Sequence, residues 1–545
     1  MMVMKKKGRP ELVADWKSLQ RIFIRPEDEA SRKALVKYME QILFGLHEFL
    51  NTHVGVTEEI SLKEVTRFYR DTVISANPEQ KLADVISDII TQIAPRAVNV
   101  ASPYFIGHMT AAIPFFMVHL KAIVAALNQN VIKLETSKVL SVLEKQVLAK
   151  IHRLVFKRSD AFYDRHVQSI DTSLGAFSTG GTTANITALW VARNRFFSED
   201  GQGPGIEEQG MHAAMVQKCL ERAVILVSRR GHFSLRKAGG LLGIGNTNVI
   251  PLDVDAGHRV DMRLLKSMIR DFKKDGKTGV MAVVGIAGAT ETGTVDPLCA
   301  MADLCQEYAI HFHVDAAWGG PVLLSERYSH LLKGIERADS VTMDAHKQFY
   351  MPMTCGMVYF RDPWAMDRIA YHSNYVNRPG SVDLGIKSLE GSREANSLIL
   401  DSALKIMGSR GYALMIDHGI ETTRAFALEI ENRDMFQLVT QPVLNILTYR
   451  VVPPALQARL KTADIREAVR INRQVNQINQ DVQRKQREAG RSFVSRTRLK
   501  LSPADEEDVV VLRTVIMNPM TDIRILNEIL DEQETIFRSL PACQE

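Results

Sequence analysis

Cysteine is scarce in this sequence and nowhere paired. Cys219, Cys299, Cys305, Cys355 and Cys543 are scattered through 545 residues with no CxxC pair and no zinc-ligand spacing. No metal site or disulfide framework is therefore expected, and a reducing cytoplasm is the favoured compartment. Long apolar runs are also missing. The longest, 280–289, is interrupted by glycine and too short to span a bilayer, so it is expected to be a buried strand and no membrane partner is expected. The basic segment 1–7 leads into the polar Gly8-Arg9-Pro10-Glu11, which argues against a secretory signal there.

A dominant charge of one sign is lacking as well. The chain has 68 Lys and Arg against 63 Asp and Glu, a net +5. That gives no mandate for nucleic acid, although a mildly positive field suits an anionic substrate. Arg484, Lys485, Arg487, Arg491, Arg496 and Arg498 form a basic cluster without an aromatic platform, and acids interleave through the rest of their helix. A solvated helix face is expected. There is no internal repeat and no low-complexity tract.

At 545 residues with 46% hydrophobic and 24% charged residues, the chain is soluble, globular and too long for one core. Between about 27 and 94 the periodicity is helical, and Leu35, Tyr38, Met39, Ile42, Leu43 and Leu46 line one apolar face. Such a face, with no domain of its own, is expected to pack on another body, here a second subunit. From about 103 to 393 strands and helices alternate, with strands expected at 223–227, 248–252, 280–286, 310–314, 340–342 and 357–360. That pattern predicts an α/β fold with a mostly parallel sheet covered on both faces. The segment 198–210 is expected to be an exposed loop. Beyond 397 strands are expected at 436–440, 446–452, 492–494 and 509–517, with a long charged helix to about 489 and a last helix from about 522. The predicted domains are 1–104 (helical), 105–397 (large α/β) and 398–545 (small α/β, antiparallel).

Chemistry concentrates at strand ends. The runs His311-Phe312-His313-Val314-Asp315-Ala316-Ala317-Trp318-Gly319-Gly320 and Ser340-Val341-Thr342-Met343-Asp344-Ala345-His346-Lys347 each close an apolar strand with charged or imidazole groups. In an open parallel sheet, ligands sit beyond the carboxyl ends of the strands. A lysine among apolar neighbours there loses solvation, which favours the neutral amine that attacks a carbonyl. Asp315 suits a pyridinium nitrogen, and Lys with Asp is the pairing that pyridoxal 5'-phosphate (PLP) requires.

Upstream, Phe177-Ser178-Thr179-Gly180-Gly181-Thr182-Thr183-Ala184-Asn185 opens a helix. Two glycines and a helix N-terminus make a phosphate cradle. The absence of a P-loop lysine argues against nucleotide hydrolysis. Taken alone, the segment also reads as a glycine turn capped by Thr. His232 follows a strand and opens a helix, either as a structural group or flat on a cofactor ring. His346 is placed to reach the phosphate or to orient Lys347. Thr290 and Thr292 end another strand, where they either bond a ring substituent or shape a turn. Arg513 lies within Val509-Val510-Val511-Leu512-Arg513-Thr514-Val515-Ile516-Met517. It either faces solvent from an alternating strand or binds a carboxylate bidentately.

In this order, these residues resemble the group II PLP-dependent amino-acid decarboxylases, over about 100–519. The most specific pieces are Gly231-His232-Phe233-Ser234-Leu235-Arg236-Lys237, the 290–297 stretch, His313 to Gly320, and Ala345-His346-Lys347. The resemblance implies a homodimer of the aspartate-aminotransferase type (fold type I), with a seven-stranded sheet and interface active sites. It implies that Lys347 holds PLP as a Schiff base, that Asp315 pairs with the ring nitrogen and that His232 stacks on the ring. Gly181, Thr182 and His346 hold the phosphate, with Thr290 and Ala317 beside the ring. Arg513 receives the substrate carboxylate, and Tyr375, in the loop 372–384, protonates the carbanion carbon.

Animal glutamate decarboxylases carry Phe-Asn-Gln where this chain has Ile106-Gly107-His108, and Asn in place of Asp344. His108 puts a potential cation where a side-chain carboxylate would lie. The chain looks most like the bacterial aspartate 1-decarboxylases, which make β-alanine for pantothenate. Glutamate, cysteine sulfinate and 2,4-diaminobutyrate remain alternative substrates. A lyase or aminotransferase on the same fold, and a non-catalytic relative, remain alternative activities.

Overall fold

The computed structural model describes residues 15–16, 29–51, 54, 65–198, 205–373, 381–501 and 507–540. Two units are distinguished: Gly107–Gln480 with Ser495–Asn527, and Met1–Ile106 with Asp481–Val494 and Glu528–Glu545.

The larger unit is built on a seven-stranded sheet. Its strands are β1 (Gly175–Ser178), β2 (Arg222–Ser228), β3 (Val249–Leu252), β4 (Thr278–Ile286), β5 (His311–Asp315), β6 (Ser340–Asp344) and β7 (Gly356–Phe360). The spatial order is β1-β7-β6-β5-β4-β2-β3. The pairs from β3 through β6 are parallel, and β7 runs antiparallel to both β6 and β1. Every residue of β5, β6 and β7 is buried, as expected of strands covered on both faces. Because β5 and β6 are adjacent and parallel, Asp315 and Asp344 end at the same sheet edge.

The helices between the strands carry local signals for where they start and stop. The helix Met262–Asp275 begins where Asp261 accepts the amides of Arg263 and Leu264, and it ends at Gly276 with φ 69°, a side-chain N-cap and a left-handed glycine stop. Gly356 lets β7 approach the phosphate-type turn, because a Cβ there would fall 2.5 Å from the Gly180 carbonyl carbon. The same unit holds a four-stranded antiparallel sheet of β8 (Phe436–Thr440), β9 (Ile446–Val451), β10 (Ser495–Leu499) and β11 (Val509–Val515), in the order β10-β11-β9-β8.

In the smaller unit, the Phe105 and Phe493 rings stack at 5.0 Å, and the Tyr104 hydroxyl donates to Glu528 at 2.6 Å. The helix Glu29–Gly45 carries the apolar stripe anticipated from its spacing. Leu35, Met39, Ile42 and Leu43 are nevertheless exposed in the single chain.

The expected strands of the large sheet are all present, with β1 in addition. β1 is short and runs straight into the glycine turn, so its residues read as part of that turn. The strand expected at 492–494 lies three residues later, as β10. The apolar Phe493-Val494 drew the assignment, whereas β10 alternates exposed Arg496 and Arg498 with more buried neighbours. Part of the expected loop 198–210 is the helix Ile206–Gln217, broken at Gly210 with φ 77°; 199–204 lie outside the described residues. Within the basic cluster, Arg484 pairs with Asp481 at 3.0 Å and with Glu488 at 3.1 Å. Cys219, Cys299, Cys305 and Cys355 are free thiols, and no described helix is long and apolar enough to cross a membrane.

Arg393 and Glu144 form a bidentate ion pair whose side chains are 8% and 1% exposed. Replacing Arg393 with Met leaves a buried carboxylate alone, which costs about 3–5 kcal/mol. Urea unfolding of Arg393→Met is expected to show a loss of that size, and an unchanged midpoint contradicts the assignment.

Candidate active site

The carboxyl edges of β4, β5 and β6 and the turn before the helix Gly181–Ser198 enclose a cavity of about 360 Å³. Gly181, Thr182, His232, Thr290, Asp315, Ala317, His346 and Lys347, all anticipated from the sequence, line it. Asp315 is 6% exposed. Its Oδ2 accepts from Asn185 Nδ2 at 2.9 Å and its Oδ1 from the Ala317 amide at 3.2 Å. An ionised carboxylate has about four lone-pair sites, so Asp315 keeps capacity for a cationic N–H from the cavity.

Behind Asp315 runs a buried polar chain. Asn185 Nδ2 also donates to Ser234 Oγ at 3.0 Å, which turns Asn185 Oδ1 toward His313 Nε2 at 3.0 Å. Burial pushes His313 down to about 4, so the ring is neutral and carries one N–H. Donation from Nε2 to Asn185 then leaves Nδ1 to accept from the Ser340 hydroxyl at 2.9 Å. This chain fixes both Asn185 and the carboxylate it holds.

His232 is the N-cap of the helix Phe233–Leu241, its Nδ1 accepting the Ser234 amide at 3.3 Å. Burial lowers its pKa, against the opposing pull of the Asp315 carboxylate. A neutral imidazole results, able to lie flat on a ring. His346 Nδ1 is pinned against the Cys355 backbone, 2.8 Å from its oxygen and 3.1 Å from its nitrogen. Lys347 Nζ lies 2.9 Å from Asp344 Oδ2. The Gly181 backbone approaches that carboxylate so closely that a Cβ would fall 2.8 Å from Oδ2.

Arg513, on β11, is 7% exposed. Its Nε donates to the Thr290 carbonyl at 2.5 Å, and Nη1 donates to the Gly107 carbonyl and to Ser495 Oγ, each at 3.2 Å. Nη2 is buried without a hydrogen-bond partner among the described residues. Burial lowers the guanidinium to about 10, which still leaves it charged near neutral pH. His108 has its pKa lowered by burial first, then by Arg513 and Lys347. The cation anticipated at that position is therefore disfavoured, and His108 offers a hydrogen bond in place of a charge. Tyr375 lies outside the described residues.

Sequence reading gave no role to Asn185, Ser234 or Arg230. Arg230 lines the cavity and pairs with Glu291 at 2.8 Å. A polar residue facing the sheet from an apolar helix is the one signal that marks Asn185 in advance.

The donor set fits PLP. It offers a lysine amine, a buried carboxylate for a ring nitrogen, a neutral imidazole for a ring face, and a helix N-terminus with His346 for a phosphate. Comparison with known proteins agrees. The pyridoxal-dependent decarboxylase conserved domain matches residues 67–452. Aspartate 1-decarboxylase of Aliivibrio fischeri is 43% identical over 527 residues, covering 96% of this chain and 95% of that protein. Acidic amino acid decarboxylase GADL1 of Xenopus tropicalis is 26% identical over 474 residues, covering 86% of this chain and 84% of that protein. Among solved structures, the glutamate decarboxylase domain of a diaminobutyrate-pyruvate transaminase and L-2,4-diaminobutyrate decarboxylase from Vibrio parahaemolyticus has a TM-score of 0.79 at 22% identity, covering 97% of this chain and all of that one. That likeness carries the fold, type I of the PLP enzymes.

Asn185→Leu strips Asp315 of its side-chain donor and leaves His313 Nε2 unpaired. An unsatisfied buried polar group costs about 1–3 kcal/mol, so PLP affinity is expected to fall roughly tenfold or more. Absorbance titration of the apoprotein measures it, and wild-type affinity in the variant contradicts the role given to the chain behind Asp315.

Proposed function

The chain belongs to the pyridoxal-dependent decarboxylases, and from that premise we propose that it removes the α-carboxylate of L-aspartate to give β-alanine and carbon dioxide. The observation that carries the choice of an acidic substrate is Arg513. A buried guanidinium with a free Nη2, and no ion pair among the described residues, is costly without an anion. A substrate side-chain carboxylate supplies that anion, accepting a charge-assisted hydrogen bond from Nη2. The aspartate 1-decarboxylase at 43% identity supports the shorter of the two common acidic amino acids. Glutamate differs from aspartate by one methylene, which a pocket distinguishes by only about 1–3 kcal/mol.

When bound, PLP supplies an electron sink for the pair left on Cα as carbon dioxide departs. The residues of the chain bind and orient around it. Lys347 Nζ would bond the cofactor's aldehyde carbon. Asp315, itself held by Asn185 and the Ala317 amide, would keep the ring nitrogen protonated. His232, neutral, covers one ring face. The amides of Gly181 and Thr182, with His346 Nε2, take the phosphate, while Thr290 and Ala317 flank the ring. Arg513 anchors the carboxylate that stays, and His108 donates or accepts beside it. The leaving carboxylate is best kept away from Arg513, since a clamped anion resists departure as a neutral molecule. Tyr375 is the proposed donor of the proton that returns to Cα.

The partner is a second copy of the chain. In the larger unit Phe115 and Val139 are 78% and 71% exposed, and Val118, Ile123 and Leu127 are also exposed. Exposed apolar residues on the helix Phe115–Leu127 and at the start of the helix Val139–Phe156 mark a face that a neighbour covers. The stripe on the helix Glu29–Gly45 of the smaller unit supports the same partner. A cytoplasmic location accords with the free thiols.

Lys347→Ala is expected to abolish carbon dioxide release and the visible absorbance of bound PLP together. In the wild type, β-alanine should form from aspartate at least tenfold faster, in kcat/KM, than γ-aminobutyrate forms from glutamate, matching about 1–3 kcal/mol of discrimination. The reverse ranking makes glutamate the substrate. Phe115→Glu is expected to shift the sedimentation of the chain from dimer toward monomer, and an unshifted dimer places the interface elsewhere.

A further inference from the structure

Asp344 has no task in the reading above, yet it is the carboxylate nearest the reactive amine. Its side chain is 3% exposed at the end of β6, with Oδ2 2.9 Å from Lys347 Nζ and 3.8 Å from His346 Nε2. Its Oδ1 is buried with no hydrogen-bond partner among the described residues. The Lys347 amide donates to the Asp344 carbonyl at 3.3 Å, a turn that folds the lysine back over the carboxylate. Asp315, the other carboxylate of the cavity, already accepts from Asn185 and the Ala317 amide. A buried carboxylate with one ammonium and one empty oxygen is costly. The arrangement is understandable if that ammonium has to be held at that place.

We propose that Asp344 is a positioning residue that receives Lys347 as an ammonium whenever the lysine is not bonded to the cofactor. This rests on Lys347 being the cofactor-bonding lysine. The protons balance as follows. Nζ, bonded to the aldehyde carbon, carries one proton and a positive charge, and the substrate nitrogen arrives as an ammonium with three. The substrate nitrogen bonds the aldehyde carbon, the bond from that carbon to Nζ breaks, and two protons pass to Nζ. Lysine leaves with three protons, the substrate nitrogen keeps one, and the total charge is unchanged. The released ammonium needs a counter-charge inside a site already holding Arg513, and Asp344 Oδ2 provides it within hydrogen-bond distance. When Lys347 is bonded again, Asp344 gives up its partner at the edge of the phosphate cradle formed by Gly181. Release of lysine to the substrate is favoured for the same reason.

The test reads the lysine directly in the apoprotein. An amine-directed acylating reagent is applied near neutral pH, and the Lys347 peptide is followed by mass spectrometry. Nζ held 2.9 Å from Oδ2 is shielded from the reagent, so Lys347 in Asp344→Asn is expected to label several-fold faster than in the wild type. Asp344→Glu, which restores a carboxylate, is expected to label close to the wild-type rate. Asp344→Ser gives the same reading as Asp344→Asn should the amide variant fail to fold. Equal rates in the wild type and the carboxylate-free variants overturn the proposal. Prior loading with PLP separates the two levels of the account. If PLP does not protect Lys347, the assignment of the cofactor lysine fails and this proposal with it. If PLP protects Lys347 but the rates are equal, only the role of Asp344 fails.

Discussion

A carboxylate that ends a fully buried strand must be given donors by its surroundings, and Asp315 receives them from two directions. The Ala317 amide comes from its own chain two residues on, and Asn185 comes from a helix on another part of the sheet. The chain through His313 to Ser340 then holds Asn185 in one orientation. Because β4, β5 and β6 are parallel, the same edge that ends in Asp315 also carries Asp344 and, one turn later, His346 and Lys347. The site is therefore a consequence of strand order. Altering the register of β5 against β6 by one residue would turn Asp315 to the other face and disperse the group.

Charge within the site is divided by burial. His313, His232 and His108 are all pushed toward the neutral form, desolvation being the first cause in each. Arg513 stays charged in the same surroundings because a guanidinium starts so much higher. The result is a cavity lined by a neutral His232 beside the acidic Asp315 and Asp344 and the basic Lys347 and Arg230. Such an arrangement suits a cofactor that is itself anionic at the phosphate and cationic at the ring nitrogen.

Much of this was legible in the sequence, for identifiable reasons. β5 and β6 end in the side chains that carry the chemistry, so His313 to Gly320 and Ala345-His346-Lys347 disclosed both the strands and the site. The glycine turn at Gly180-Gly181 was equally visible, since a tight turn before a helix leaves a compositional trace. Asn185 was not, because its importance comes from Asp315, a residue 130 positions away. β10 was misplaced by three residues because the strand exposes arginines at alternate positions, while the half-buried Phe493 and buried Val494 lie just before it. His108 was read as a cation from its residue type. Its pKa is lowered first by burial and then by Arg513 and Lys347, surroundings that only the folded chain brings together.

We propose that one lysine, just beyond the end of β6, bonds the cofactor. Borohydride reduction of the PLP-loaded enzyme, followed by peptide mapping, tests it most directly. A pyridoxyl group on Lys347 is the predicted result; a group on any other lysine, or none at all, contradicts the account.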